Sequence, residues 1–266
     1  MRFKIPAVVA AALWLAMATP IYAQGGRGGQ ASPPPTAQAA APVDLTGYWV
    51  SIVTEDWRFR MLTPAKGDYA SVPLNAAGRK MADGWDPAKD EAAGEQCKSY
   101  GAAAIMRVPG RIHITWDNEN TLKIETDAGT QTRLLHFGRL NLNGPQDTLQ
   151  GVSVAEWEYA GGAREGQNVG VSVFAGAAQP SRGGDLKVVT THMRPGYLRK
   201  NGVPYSGNAV LTEYYHRTME PNGDSWLIVT TLVEDPQYLA QPFQTSTHFR
   251  KQADASGWDP SPCTSR

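Results

Sequence analysis

Apolar and polar positions alternate with a period of two over much of the chain beyond residue 110. In residues 111–117, Ile112, Ile114 and Trp116 fall on one side, and Arg111, His113 and Thr115 on the other. Successive side chains of a strand point to opposite faces, so this is strand patterning. Asn118-Glu119-Asn120 reads as a turn into 121–126, where Leu122 and Ile124 share a face. Asp127-Ala128-Gly129 turns again into 130–137. The three segments predict a β-meander. Further strands are predicted at 152–159, 171–174, 186–193, 208–217, 226–233 and 244–249, and upstream at 44–53 and 57–62. Residues 74–98 break the rhythm. Leu74-Asn75-Ala76-Ala77 and Pro87–Ala93 are rich in helix formers, and Pro87 suits a first helical turn. Two short helices are predicted there, broken around Asp83-Gly84-Trp85-Asp86. No alternation of strand and helix follows, which excludes a parallel α/β sheet. The pattern predicts a mainly β fold, an antiparallel barrel or sandwich with a short helical insertion near 74–98.

The first residues differ in kind. Arg2 and Lys4 precede an apolar run from Ile5 to Thr19, and Ala23 stands before the polar Gln24. A basic start, a short apolar middle and a small residue at the break predict a signal peptide over 1–23. The run is shorter than the roughly 20 residues that span a bilayer, so no stable membrane span is expected after cleavage. Residues 24–43 are Gly-, Pro- and Ala-rich and predict a disordered linker, leaving 44–266 as a single domain. The expected compartment is periplasmic or secreted.

Composition narrows the function classes. The 266 residues carry 25 basic and 25 acidic side chains. This balance argues against a nucleic-acid partner, because phosphate contacts demand a basic surface. The two cysteines, Cys97 and Cys263, have no Cys-x-x-Cys partner and no nearby His. In an exported chain they are expected to pair with each other. The five His show no i, i+2 or i, i+4 pairing, so neither a metal nor another cofactor is expected. Serine-hydrolase, phosphate-loop and dinucleotide fingerprints are missing as well.

Gly47-Tyr48-Trp49, at the head of the first strand, resembles the Gly-x-Trp signature that opens lipocalin-type barrels. The resemblance implies an antiparallel lipocalin-like β-barrel of about 8–10 strands, with Trp49 packed across its floor. The longer opening Asp44–Trp49, together with 194–202, 234–239, Trp258 and Cys263, is similar to a family of secreted bacterial proteins that brings no chemistry to carry over. The chain departs from a lipocalin in its length and in the helical insertion.

Candidate chemistry lies on the later strands. Leu211, Glu213 and Tyr215 share one face, Thr190 and His192 another. Polar groups on an inward face need partners or a polar cavity. Glu213 is the candidate general base or acid, because burial raises a carboxyl pKa into a useful range. His113 or His192 is its candidate proton-transfer counterpart. Arg133, inside an otherwise apolar strand, is a candidate anion anchor. Arg58 and Arg60, sharing one face of a strand over 57–62, are similar candidates. Asp235, ahead of Pro236, is a candidate mouth-lining carboxylate, and facing Glu213 it would make a glycoside-cleaving or eliminating pair. The segment 194–207 reads as a loop over the barrel mouth, with Tyr197 and Tyr205, and Tyr238 completes the aromatic lining. The expectation is an exported β-barrel acting on a small-molecule substrate as a lyase, isomerase or hydrolase. The alternatives are a non-catalytic carrier of a hydrophobic or aromatic ligand, and an interaction module. Convergence of Glu213, His113 and Arg133 in one cavity would separate the enzyme from the carrier.

Overall fold

The computed structural model describes residues 34–140, 147–159 and 184–266. The expected signal peptide, the first part of the expected linker and the strand expected at 171–174 lie outside the described residues. Nine strands close into a barrel: β1 (Gly47–Ile52), β2 (Arg111–Asn118), β3 (Thr121–Thr126), β4 (Thr132–Phe137), β5 (Val152–Tyr159), β6 (Gly184–Thr191), β9 (Val210–Met219), β10 (Ser225–Glu234) and β11 (Phe243–Lys251). A separate hairpin pairs β7 (Gly196–Arg199) with β8 (Val203–Tyr205). Around the barrel the order is β1-β11-β10-β9-β6-β5-β4-β3-β2, and β2 pairs back onto β1.

The meander of β2, β3 and β4 forms as its alternation predicts, and every barrel pairing but one is antiparallel. The exception is β4 with β5, where Leu135, His136 and Phe137 run parallel to Ser153, Val154 and Ala155. The barrel is therefore mixed. Parallel neighbours cannot be joined by a tight hairpin and need a longer crossover. Here β4 ends at Phe137 and β5 begins at Val152, a separation that strand spacing alone reads as an ordinary loop.

Residues 57–62 are not a strand. Asp56 takes a positive φ of 50°, and its carbonyl accepts hydrogen bonds from the amides of Phe59 and Arg60. This winds a single helical turn, α1 (Trp57–Arg60). The helical insertion forms as α2 (Ala76–Asp83) and α3 (Pro87–Ala92). Asn75 caps α2 by accepting from the Gly78 amide at 2.9 Å, and Asp86 caps α3 from the Ala88 amide at 3.1 Å. A further short helix, α4 (Ala102–Ile105), precedes β2.

The barrel interior is packed. Inward positions alternate along each strand, for example Leu227, Val229 and Val233 on β10, Leu186 and Val188 on β6, and Ile112 and Ile114 on β2. Trp49 is fully buried among them, donates its indole N–H to the Leu45 carbonyl at 3.0 Å, and lies under the Lys251 ammonium at 4.5 Å. A second apolar cluster joins Leu74, Ala82, Ala102, Leu198 and Tyr205 to Leu211, Val233 and Phe243. The helices and the β7–β8 hairpin thus cover one barrel end. Residues 34–45, partly assigned by composition to the linker, lie across the other end. The indole of Trp157 donates to the Ala37 carbonyl at 2.8 Å, the hydroxyl of Tyr159 donates to the Ala40 carbonyl at 3.0 Å, and Ala37 itself is buried.

Cys97 and Cys263 form a disulfide with their Cα atoms 5.1 Å apart. It holds residues 261–264 against Gly129 and Tyr100. Gly129 has a φ of +76°, and a Cβ there would lie 2.2 Å from Cδ1 of Tyr100. Gly129→Ala is expected to destabilise the protein by about 2 kcal/mol, from left-handed strain plus overpacking. A shift in the urea unfolding midpoint checks it. No helix of the described residues is long and apolar enough to cross a membrane.

Candidate functional site

The candidate acid–base residues occupy three separate environments. Glu213 of β9 points into the barrel and is fully buried. It meets Arg133 of β4, also fully buried, through two bonds of 3.0 and 2.6 Å. Strands β5 and β6 lie between those two strands, so the ion pair crosses the lumen. The hydroxyl of Tyr215 donates to Glu213 at 3.2 Å, Arg133 donates to the hydroxyl of Thr190 at 3.3 Å, and Thr190 bonds Ser153 at 2.8 Å. Burial disfavours the Arg133 cation, yet the adjacent Glu213 carboxylate more than compensates and raises its pKa. Burial and the same carboxylate raise the Tyr215 phenol. This belt crosses a packed interior and leaves Nε of Arg133 without a partner.

His113 does not join it. Ile112 and Ile114 point inward, so alternation sends His113 to the outer face, where it stacks on Tyr48 at 3.9 Å and lies 3.4 Å from Glu125. His192 follows β6 with a positive φ of 55°, exposed, its ring bonded to the Thr191 hydroxyl at 2.9 Å. Asp235 is buried and accepts from the amide and hydroxyl of Ser206 at 2.7 and 2.8 Å. Its partners are in a turn, while those of Glu213 are in the barrel, so the two carboxylates do not act on a common group here.

The segment expected as a mouth loop, 194–207, is the β7–β8 hairpin. Its turn contains Asn201-Gly202, with Gly202 at a φ of +79°. Asn-Gly is the strongest short-range hairpin signal, and the alternation beside it was too short to register. Tyr197 and Tyr238 do come together, with Trp85 and Met81, in a groove of about 520 Å3. The Tyr197 hydroxyl donates to Asp90 at 2.8 Å, and burial followed by that carboxylate raises its pKa.

The hairpin also builds a different site. A cleft of about 510 Å3 lies between α1, α4, β7 and the segment held by Cys263. Its cations are Arg60, Arg107, Arg199, Lys200 and Arg266, and its apolar lining includes Phe59, Met61, Leu62 and Pro262. Arg58 and Arg60 do not share a face. Two residues apart on a helical turn they diverge, so the Arg58 side chain is exposed and paired with Asp68 while Arg60 is buried. Arg60 donates Nε to the Arg107 carbonyl at 2.9 Å and pairs with Glu55. Arg107 donates Nη2 to Asp56 at 3.0 Å. Arg199 donates Nη1 to the Ala70 carbonyl at 2.6 Å, with its guanidinium 4.2 Å above the Phe59 ring.

The site is under-neutralised. Among its five cationic side chains, ion pairs reach only two carboxylate side chains of the described residues, Glu55 and Asp56. The side chains of Arg107 and Arg199 are only 6% and 1% exposed. Nη1 of Arg107 and both Nε and Nη2 of Arg199 are buried with no hydrogen-bond partner. Such orphaned charged donors are costly, and each calls for a partner that the protein itself does not supply. Burial, and then the neighbouring Arg107 cation, push the Arg199 pKa down to about 10. It remains a cation at neutral pH, held without its full complement of acceptors. Burial works to raise the Tyr100 phenol, but hydrogen bonding with Lys200 and Thr264 and the Lys200 charge bring it below its ordinary value.

Fold and site together define a closed nine-stranded β-barrel with a cationic cleft beside, rather than inside, the barrel. No family model, curated protein or solved structure matches the chain.

Proposed function

We propose that this is an exported binding protein for a small organic anion, and that the arginine cleft is its site. One observation carries the reading: two nearly sealed guanidiniums line a cleft of ligand size with N–H donors left unpaired. The disulfide is of the kind favoured in oxidising compartments, and the basic–apolar opening of the chain supports export. The Gly47-Tyr48-Trp49 opening, on a barrel with buried Trp49, supports kinship with lipocalin-type carriers. The carrier reading is preferred to acid–base catalysis because Glu213 is committed to Arg133 and neither His113 nor His192 reaches it.

The test is a thermal-shift screen of the mature chain against organic anions and their uncharged isosteres. A ligand at 100 times its Kd adds about 2.7 kcal/mol of stability, so the unfolding temperature rises by several degrees. The anions are expected to raise it, the isosteres to leave it unchanged, and Arg107→Gln to abolish the rise. A flat response to every anion, or a rise untouched by Arg107→Gln, would overturn the assignment.

A further inference from the structure

The pattern of used and unused donors on Arg199 says what kind of anion fits. A guanidinium has two forked edges, and Nε with Nη2 forms the side-on one, two parallel N–H bonds spaced for the oxygens of one carboxylate. On Arg199 the other terminal nitrogen, Nη1, is held by the Ala70 carbonyl at 2.6 Å. Both members of the side-on edge are without partners and shielded from solvent, so a ligand reaches them only by displacing the side chains over them. The plane is fixed by the Phe59 ring at 4.2 Å and flanked by Phe243 at 6.0 Å. The nearest carboxylate, Asp56, stands 3.9 Å from Nη2, beyond hydrogen-bonding distance, and is already engaged by Arg107 at 3.0 Å. One buried arginine thus keeps a complete planar fork unused, and Arg107 beside it in the lining of the same cleft keeps Nη1 unused.

The rest of the cleft is apolar at its rim. Met61 and Leu62 are 58% and 70% exposed, unusual for large hydrophobic side chains following a short helix, and both line the cleft with Phe59 and Pro262. Nothing in the barrel core requires them to be apolar. A ligand with a hydrocarbon body would cover them.

We infer that the ligand class is a monocarboxylate with an apolar or aromatic body, its carboxylate received side-on by Nε and Nη2 of Arg199 with Arg107 as second donor, and its body resting on Phe59, Met61 and Leu62. The inference rests on the anion-binding reading and adds the head-group geometry and the hydrocarbon body. It disfavours inorganic phosphate as the preferred ligand because a bare oxyanion leaves Met61 and Leu62 uncovered, although two phosphate oxygens fit the same guanidinium edge.

The test is titration calorimetry with hexanoate, phenylacetate, acetate, inorganic phosphate and 1-hexanol, on the wild-type mature chain and on two variants. Arg199→Lys keeps the charge and removes the fork. Leu62→Asn alters only an exposed rim position. Hexanoate and phenylacetate are expected to bind at least tenfold more tightly than phosphate or hexanol. Arg199→Lys should weaken them at least tenfold with the urea unfolding midpoint serving as the folding control. Leu62→Asn should weaken hexanoate severalfold and leave acetate unchanged. If phosphate binds as well as hexanoate and Arg199→Lys changes neither, the carboxylate assignment is wrong while the anion site stands. If hexanol matches hexanoate, or if no anion binds at all, both fall.

Discussion

Glu213→Ala is expected to destabilise the protein by about 3–5 kcal/mol, because it strands a fully buried Arg133 cation in the barrel lumen. The size of the effect comes less from the attraction lost than from the charge left behind. Arg133 would retain only the hydroxyls of Tyr215 and Thr190, and its Nε is already without a partner. Glu213→Gln should cost less than alanine, since an amide still offers an acceptor, but it too leaves the cation unneutralised. Replacing the whole set, with Arg133→Met, Glu213→Leu and Tyr215→Phe together, should recover most of the loss, because an apolar substitute of similar volume needs no desolvation of charge. Urea midpoints at matched slopes give the comparison. A cost below about 1 kcal/mol for Glu213→Ala would mean that the belt is reached by solvent, and would return Glu213 to consideration as a reacting group.

Loss of the Cys97–Cys263 bond is the second large effect. The two cysteines are 166 positions apart, and releasing so long a loop is expected to cost about 2–5 kcal/mol. The consequence is local as well as global. Ser261, Pro262 and Thr264 form part of the cleft lining, and Thr264 meets the Tyr100 hydroxyl through its own hydroxyl at 3.2 Å and its amide at 3.3 Å. A Cys97→Ser, Cys263→Ser double variant, or treatment with reductant, should therefore lower the unfolding midpoint and weaken anion binding together. Binding that survives reduction at temperatures where the chain stays folded would show that this wall contributes nothing to the site.

The barrel was legible because its strands state their faces. Ile112, Ile114, Leu122 and Ile124 alternate with polar neighbours, and each occupies the inward position that period-two patterning assigns it. The same rule places His113 outside, which follows directly from Ile112 and Ile114. The parallel β4–β5 seam was not legible, since strand direction depends on the path of a connection and not on the strand residues themselves. Pairing of Arg133 with Glu213 required knowing that β4 and β9 face each other across the lumen, 80 positions apart in sequence. The cleft was hidden for a different reason. Its residues come from α1, α4, the β7–β8 hairpin and the 261–266 segment, none of which carries a long periodic pattern. Asn201-Gly202 was the one local clue, marking the turn that puts Arg199 and Lys200 in place. Tyr197 and Tyr238 were found as an aromatic pair, but their groove shares neither Arg107 nor Arg199 with the cleft.

The central claim is that the ligand site lies in the arginine cleft and not in the barrel lumen. Anomalous diffraction from a crystal soaked in 4-bromobenzoate tests it directly, since bromine marks the position of the bound molecule. The account predicts a bromine peak beside Met61 and Leu62, with the carboxylate on the Arg199 edge. A peak within the barrel beside Tyr215, a peak in the Trp85 groove alone, or no peak at a saturating concentration would contradict it.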